Sequence, residues 1–101
     1  MFAVIYSFHV KSGQEKKFVK AWKELTKLIY KFENGLGSRL HKHTKQEYIA
    51  YAQWPDRITW ANAGSNLPDK ANNIRQNMKT SCETIKTVYE LDVIDDLLKF
   101  N

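Results

Sequence analysis

A single cysteine, Cys82, in 101 residues leaves no partner for an internal disulfide, and a lone thiol fits a reducing compartment. Proline occurs twice and glycine four times, too few for a collagen-like or linker-rich chain. No repeat and no low-complexity stretch is present. Long apolar runs are also missing. The N-terminal FAVIYSFHV is about nine residues, lacks a basic leader and runs into Lys11, whereas a spanning helix needs about 20 apolar residues. A cytoplasmic protein with no membrane partner is the expectation. Conventional catalytic signatures are absent as well. Gly35-Leu36-Gly37 lacks the third glycine and the preceding strand of a dinucleotide fingerprint. Ser, His and Asp occur without a nucleophile elbow, and no flavin, nicotinamide or haem signature is found, so no cofactor is expected.

What remains is a compact, basic composition. Hydrophobic residues make up 43% of the chain and the formal charge is +5, which fits one domain spanning residues 1–101. Six of the 13 lysines fall between residues 16 and 31, inside an amphipathic helix. There Phe18, Trp22, Leu25, Ile29 and Phe32 recur at steps of four and three, a stripe about 80° wide. Lys16, Lys20, Lys23, Lys27 and Lys31 cluster about 180° away, as a solvated face of good helix formers does. Ser12 or Gly13 is the expected start and Asn34-Gly35 the expected end.

Strands flank that helix. Val4, Tyr6, Phe8 and Val10 alternate with Ile5, Ser7 and His9, and the Val/Tyr/Phe side should meet the helix. Residues 38–44 read as a short strand, Lys45-Gln46 as a turn and residues 47–54 as a third strand. Pro55 stops it and pre-sets a short helix over 56–63. A break at 64–68 precedes a second helical stretch carrying Ala71, Ile74 and Met78 on one face, with Asp69 as its cap. Residues 82–93 alternate as a last strand, and Asp95–Asn101 is a tail with room for one helical turn. The order β-α-β-β-α-β defines an α+β, ferredoxin-like fold: a four-stranded antiparallel sheet with helices on one face. The other face is bare, and two such sheets packed across a two-fold axis would cover it, so a homodimer is expected.

The runs VIYSFHVKSGQEKKFVKAW, NGLGSRLH and YIAYAQWPDRITWANA resemble the antibiotic-biosynthesis-monooxygenase family of dimeric α+β barrels, over roughly residues 2 to 64. The resemblance implies a cofactor-independent monooxygenase acting on a small aromatic or quinol-type substrate. Other members degrade haem. That branch has an asparagine on the first strand, and many members carry a histidine in the helical region after the W-x-D strand. FAVIYSFHV and ITWANAGSNLPDKANNIRQNM have neither, which argues against haem degradation.

Tyr6, Tyr51 and Trp60 are the candidate substrate-pocket residues, since rings stack on a flat ligand while a phenol or indole N–H fixes a polar edge. Within that group Tyr6 and Trp60 are assigned to substrate binding. His41 or Tyr51 is the candidate catalytic base. Trp54 is expected in the barrel interior or at an interface, on the uncovered face, and Cys82 as an inert buried thiol. His9, His41 and His43 lack a neighbouring carboxylate or cysteine at a recognisable ligand spacing, so no metal site is assigned. A non-catalytic ligand-binding barrel is the alternative. Nucleic-acid binding is disfavoured, because EYIAYAQW lacks the basic-Gly-aromatic run of an RNA-recognition motif and puts Tyr48 and Tyr51 on opposite faces.

Overall fold

The computed structural model describes residues 1–99. Its elements run β1 (Phe2–Val10), α1 (Glu15–Phe32), β2 (Ser38–Lys42), β3 (Glu47–Trp54), α2 (Arg57–Ala61), α3 (Lys70–Ser81) and β4 (Cys82–Asp92). The four strands form one sheet in the order β2-β3-β1-β4, every neighbouring pair antiparallel. This is the ferredoxin-like α+β arrangement that the alternating patterns indicate. Residues 93–99 form no regular structure. The tail expected over Asp95–Asn101 therefore has no helical turn before residue 99, and its last two positions lie outside the described residues. Among the described residues no helix is long and apolar enough to cross a membrane.

Register decides which side chains share a face. β1 pairs with β3 as Phe2↔Trp54, Val4↔Ala52, Tyr6↔Ala50 and Phe8↔Tyr48, so these eight residues point to one side. That side meets the helices. Phe18 of α1 is fully buried with Phe8, Val10, Tyr48 and Cys82, and its ring lies 4.9 Å from Phe8 and 5.3 Å from Tyr48. Phe2, Val4, Ala52 and Trp54 form a neighbouring cluster. Cys82 is buried as expected, and desolvation pushes its thiol pKa up. Trp54 corrects an expectation, for it belongs to the helix-covered face. The opposite face carries Ile5, Tyr51 and Tyr89 in one cross-strand row, and there Tyr89 and Leu91 are exposed.

α1 also differs from its reading. The buried positions are Phe18, Ala21, Leu25 and Leu28, whereas Trp22 and Ile29 are half-buried and Phe32 is exposed. The reason is α3. Ala71, Ile74 and Met78 pack on Leu25 and Leu28 and draw the buried stripe towards that side of the helix. Gln14, not Ser12 or Gly13, occupies the N-cap, without a side-chain cap bond. Gly13 serves the turn before it with φ +83°, a conformation that disfavours a Cβ. At the other end Glu33 is the C-cap and Asn34 turns left-handed at φ +60°.

Candidate substrate cavity

Trp22 and Ile29 pack against the sheet but stay half-buried, and beside them a cavity opens between α1 and the strands. Its volume is about 240 Å³, with Tyr6, Phe8, Ala52 and Trp54 from the sheet and Trp22, Leu25, Thr26 and Ile29 from α1. Gly35, Gly37 and Ser38 edge it. The loop there is tied to β3, since Leu36 N donates to Gln53 O and Gln53 N to Gly37 O, both at 2.9 Å. A second chamber of about 320 Å³ shares Tyr6, Leu25, Ile29 and Trp54 and adds Trp60, Gly64, Leu67 and Arg75. The walls of the first chamber are overwhelmingly apolar, those of the second are mixed with Arg75 among them, and neither chamber is lined by a carboxylate among the described residues.

Tyr6 stands where the two chambers meet. Its hydroxyl accepts a 2.8 Å hydrogen bond from Trp60 Nε1. Trp60 is held in place from two sides. Its ring packs against Phe2 at 5.6 Å, and its helix α2 is capped by Asp56, whose Oδ1 accepts from Thr59 N and Thr59 Oγ1, each at 2.7 Å. Those bonds hold the Asp56 pKa below the ordinary carboxylate value. Burial pushes the Tyr6 pKa up; the Trp60 N–H opposes that shift in part, and the Glu90 charge adds to it. With one lone pair engaged by Trp60, the phenol keeps its proton and can donate it into the cavity.

The sheet separates the sequence-selected residues. Tyr6 and Trp60 meet at the cavity. Tyr51 pairs opposite Ile5 and Arg39, so it lies on the uncovered face, where its hydroxyl accepts from Gln53 Nε2 at 3.3 Å. The expected convergence of Tyr6, Tyr51 and Trp60 in one pocket is thereby corrected. His41 pairs opposite Ile49 on that same uncovered side, is exposed, and sets Nδ1 3.1 Å from Ile49 O. Neither His41 nor Tyr51 lines either chamber. His43 contacts Glu47 Oε1 at 2.6 Å and His9 contacts Glu83 at 3.3 Å. Among the described residues no three His, Cys, Asp or Glu side chains come together in a metal-binding group.

Sequence reasoning missed Trp54, Met78 and Ile85 as cavity walls, and Arg75, whose Nη2 donates to Gly64 O at 3.3 Å. No local pattern distinguishes a wall from a core residue. Gly35 is the exception, because an isolated glycine after a helix signals close approach. A Cβ there would lie 2.9 Å from Ile29 Cγ2 and 3.6 Å from Trp54 Cη2. Gly35→Ala should thus cost about 1–3 kcal/mol by overpacking a rigid β-branched neighbour. Urea unfolding measures it, and a loss below a few tenths of a kcal/mol would show that the loop yields freely.

A family model described as antibiotic biosynthesis monooxygenase matches residues 1–65. No curated protein sequence gives a match. Among solved structures, the chain is similar to SnoaB, a cofactor-independent oxygenase from Streptomyces nogalater. The TM-score is 0.77 and the identity 11%, with 97% of each chain covered. A second similar structure is an antibiotic biosynthesis monooxygenase, with TM-score 0.73, 15% identity, and 94% of this chain and 100% of that one covered. A conserved protein from Methanosarcina mazei Go1 gives a TM-score of 0.68 at 14% identity, covering 84% of this chain and 87% of its own. At such identities the likeness speaks for the fold.

Proposed function

The chain belongs to the antibiotic biosynthesis monooxygenase family, and on that premise we propose that its cavity oxygenates a small aromatic or quinol-type substrate without a cofactor. The observation that carries this reading is the Tyr6–Trp60 pair at an aromatic-walled cavity that no carboxylate lines among the described residues. The similarity to a cofactor-independent oxygenase supports it. An electron-rich phenol or anthrone supplies its own reducing power. Once ionised, it passes an electron to dioxygen, and the resulting radical and superoxide combine at carbon. The hydroperoxide then loses water, so that a ring CH₂ and O₂ become C=O and H₂O. The Tyr6 O–H, which keeps its proton, donates a hydrogen bond to the phenolate or enolate oxygen and stabilises the anion. Trp60 fixes the Tyr6 hydroxyl. His41 and Tyr51, the first candidates for the base, take no step at this cavity, and the substrate's proton leaves to solvent through the cavity mouth.

Oxygen uptake by purified protein with a panel of anthrones and naphthoquinols tests the proposal. Uptake matched one-to-one by a carbonyl product is expected. Binding of the same compounds without uptake would instead favour a non-catalytic ligand-binding barrel.

The assembly belongs to the same proposal. The uncovered face presents Ile5, Ile49, Tyr51, Tyr89 and Leu91, with Tyr89 60% and Leu91 42% exposed, an apolar surface that a second copy packed across a two-fold axis would bury. Light scattering should give twice the 11.9 kDa chain mass, and Tyr89→Arg should shift the protein towards the monomer. A wild-type monomer at micromolar concentration would rule the dimer out.

A further inference from the structure

Lys16, Lys20, Lys23, Lys27 and Lys31 form one exposed row along α1, within about 80° of arc and about 22 Å long at helical spacing. Lys16–Lys20, Lys23–Lys27 and Lys27–Lys31 are four residues apart and Lys20–Lys23 three apart, spacings at which like charges repel and weaken a helix. A face that only meets water intersperses glutamates with its lysines. Here the two carboxylates of α1, Glu15 and Glu24, pair with none of the five, and among the described residues no other acid does. The row is a strip of positive charge that the chain itself leaves unneutralised. Apolar groups border it. Tyr30, about 20° from Lys23 around the helix, is 63% exposed, and Leu36 just beyond the helix is 45% exposed. Leu36 is presented by a fixed loop, since its N–H donates to Gln53 O at 2.9 Å. Tyr30 also lines the first chamber, which thus reaches the surface beside the lysines.

From this placement we infer that α1 docks on an anionic lipid surface, its lysines against the headgroups and Tyr30 and Leu36 dipping between them, with the mouth of the first chamber turned towards the lipid. The row contains no arginine, the side chain whose planar fork recognises single phosphates and base edges. Ammonium groups act as point charges, and a row of them beside exposed apolar side chains matches a plane of negative headgroups over hydrocarbon. The expectation of no membrane partner rested on the lack of a spanning segment, which a surface contact does not need. Docking goes beyond the oxygenation proposed above and stands apart from it, because lysine charge and exposed apolar groups hold the protein to the surface whatever the cavity contains.

Co-sedimentation of the full chain with vesicles of phosphatidylcholine, plain or with about one-third phosphatidylglycerol, tests the docking. The protein should bind the anionic vesicles at about 0.1 M salt, leave them at about 1 M, and ignore the neutral ones. Lys23→Gln, Lys27→Gln and Lys31→Gln combined should weaken binding on the order of 100-fold, about fivefold per lysine. A control removes the same charge elsewhere: Lys45→Gln in the β2–β3 turn, Lys86→Gln on β4 and Lys99→Gln in the tail, all exposed. It should weaken binding less than about threefold, since screened charges away from the contact contribute little. Oxygen uptake with a water-soluble naphthoquinol should be the same in both triple variants as in the wild type, so loss of docking is read separately from loss of chemistry. No binding of the wild-type protein to anionic vesicles, or equal weakening in the two triple variants, overturns the docking and leaves the proposed oxygenation standing. Preference for a short single-stranded RNA over the anionic vesicles in direct competition, lost in the α1 variant, assigns the row to nucleic acid and overturns it as well.

Discussion

Tyr6→Phe should lower kcat/KM for an anthrone or quinol substrate by about 10²–10³-fold, the usual effect of removing one preorganised donor to a developing oxyanion. The variant should stay folded. Phe fills the same space, and the loss of one hydrogen bond from Trp60 Nε1 costs about 1 kcal/mol. Oxygen uptake measured beside thermal unfolding separates the two effects, and a variant with near-wild-type turnover would remove Tyr6 from the chemistry. The pH dependence follows from the raised pKa. Burial lifts the phenol above its ordinary 10.0, so Tyr6 remains a donor at neutral pH and beyond the point where a free tyrosine ionises. Above pH 10 the unfolded chain releases this proton more readily than the folded one. The folded state then loses stability as pH rises from about 10 through the folded-state pKa. A rate–pH profile should show no loss assignable to Tyr6 between pH 7 and about 10, and Tyr6→Phe should blunt the alkaline loss of stability.

Phe18→Ala should cost about 3–5 kcal/mol, since a fully buried ring between Phe8 and Tyr48 leaves a cavity that rigid strands cannot close. That is a large part of the stability of a chain this size, so the variant should be partly unfolded at 37 °C. Lys23→Ala, on the exposed face of the same helix, should change stability by less than about 0.5 kcal/mol. Denaturant midpoints of the two variants check this, and comparable losses would mean that α1 presents another face to the sheet. Trp22, which the spacing alone would put in the core, is half-buried at the cavity wall. Its truncation should enlarge the cavity and cost less than the loss of Phe18.

Strand and helix identities were legible in the sequence because they rest on short-range periodicity. Period two in FAVIYSFHV and EYIAYAQW, the apolar arc of α1, the Asn34-Gly35 stop and Pro55 before α2 each follow from a few neighbouring residues. β3 accordingly spans Glu47–Trp54 as read, and the order of elements leads to the sheet order observed. The Tyr6 side of β1 does face the helices. What a strand pattern cannot supply is the pairing that places one strand's alternation against another's, because a shift of one residue inverts every side chain. Tyr6 opposite Ala50 rather than Tyr51 sends Tyr51 to the far side and brings Trp54 to the cavity. Even so, parity within β3 already parts Tyr51 from Tyr48 and Trp54, and that signal could have been followed further. Likewise the arc of α1 gave an apolar face but not the seat of α3, whose Ala71, Ile74 and Met78 cover Leu25 and Leu28, while Trp22 and Ile29 stay half-buried at the cavity wall. Local chemistry determined the elements and the inward side of β1. Cross-strand register and the packing of α3 on α1, both contacts between residues far apart in the chain, decided where a cavity opens and which side chains line it.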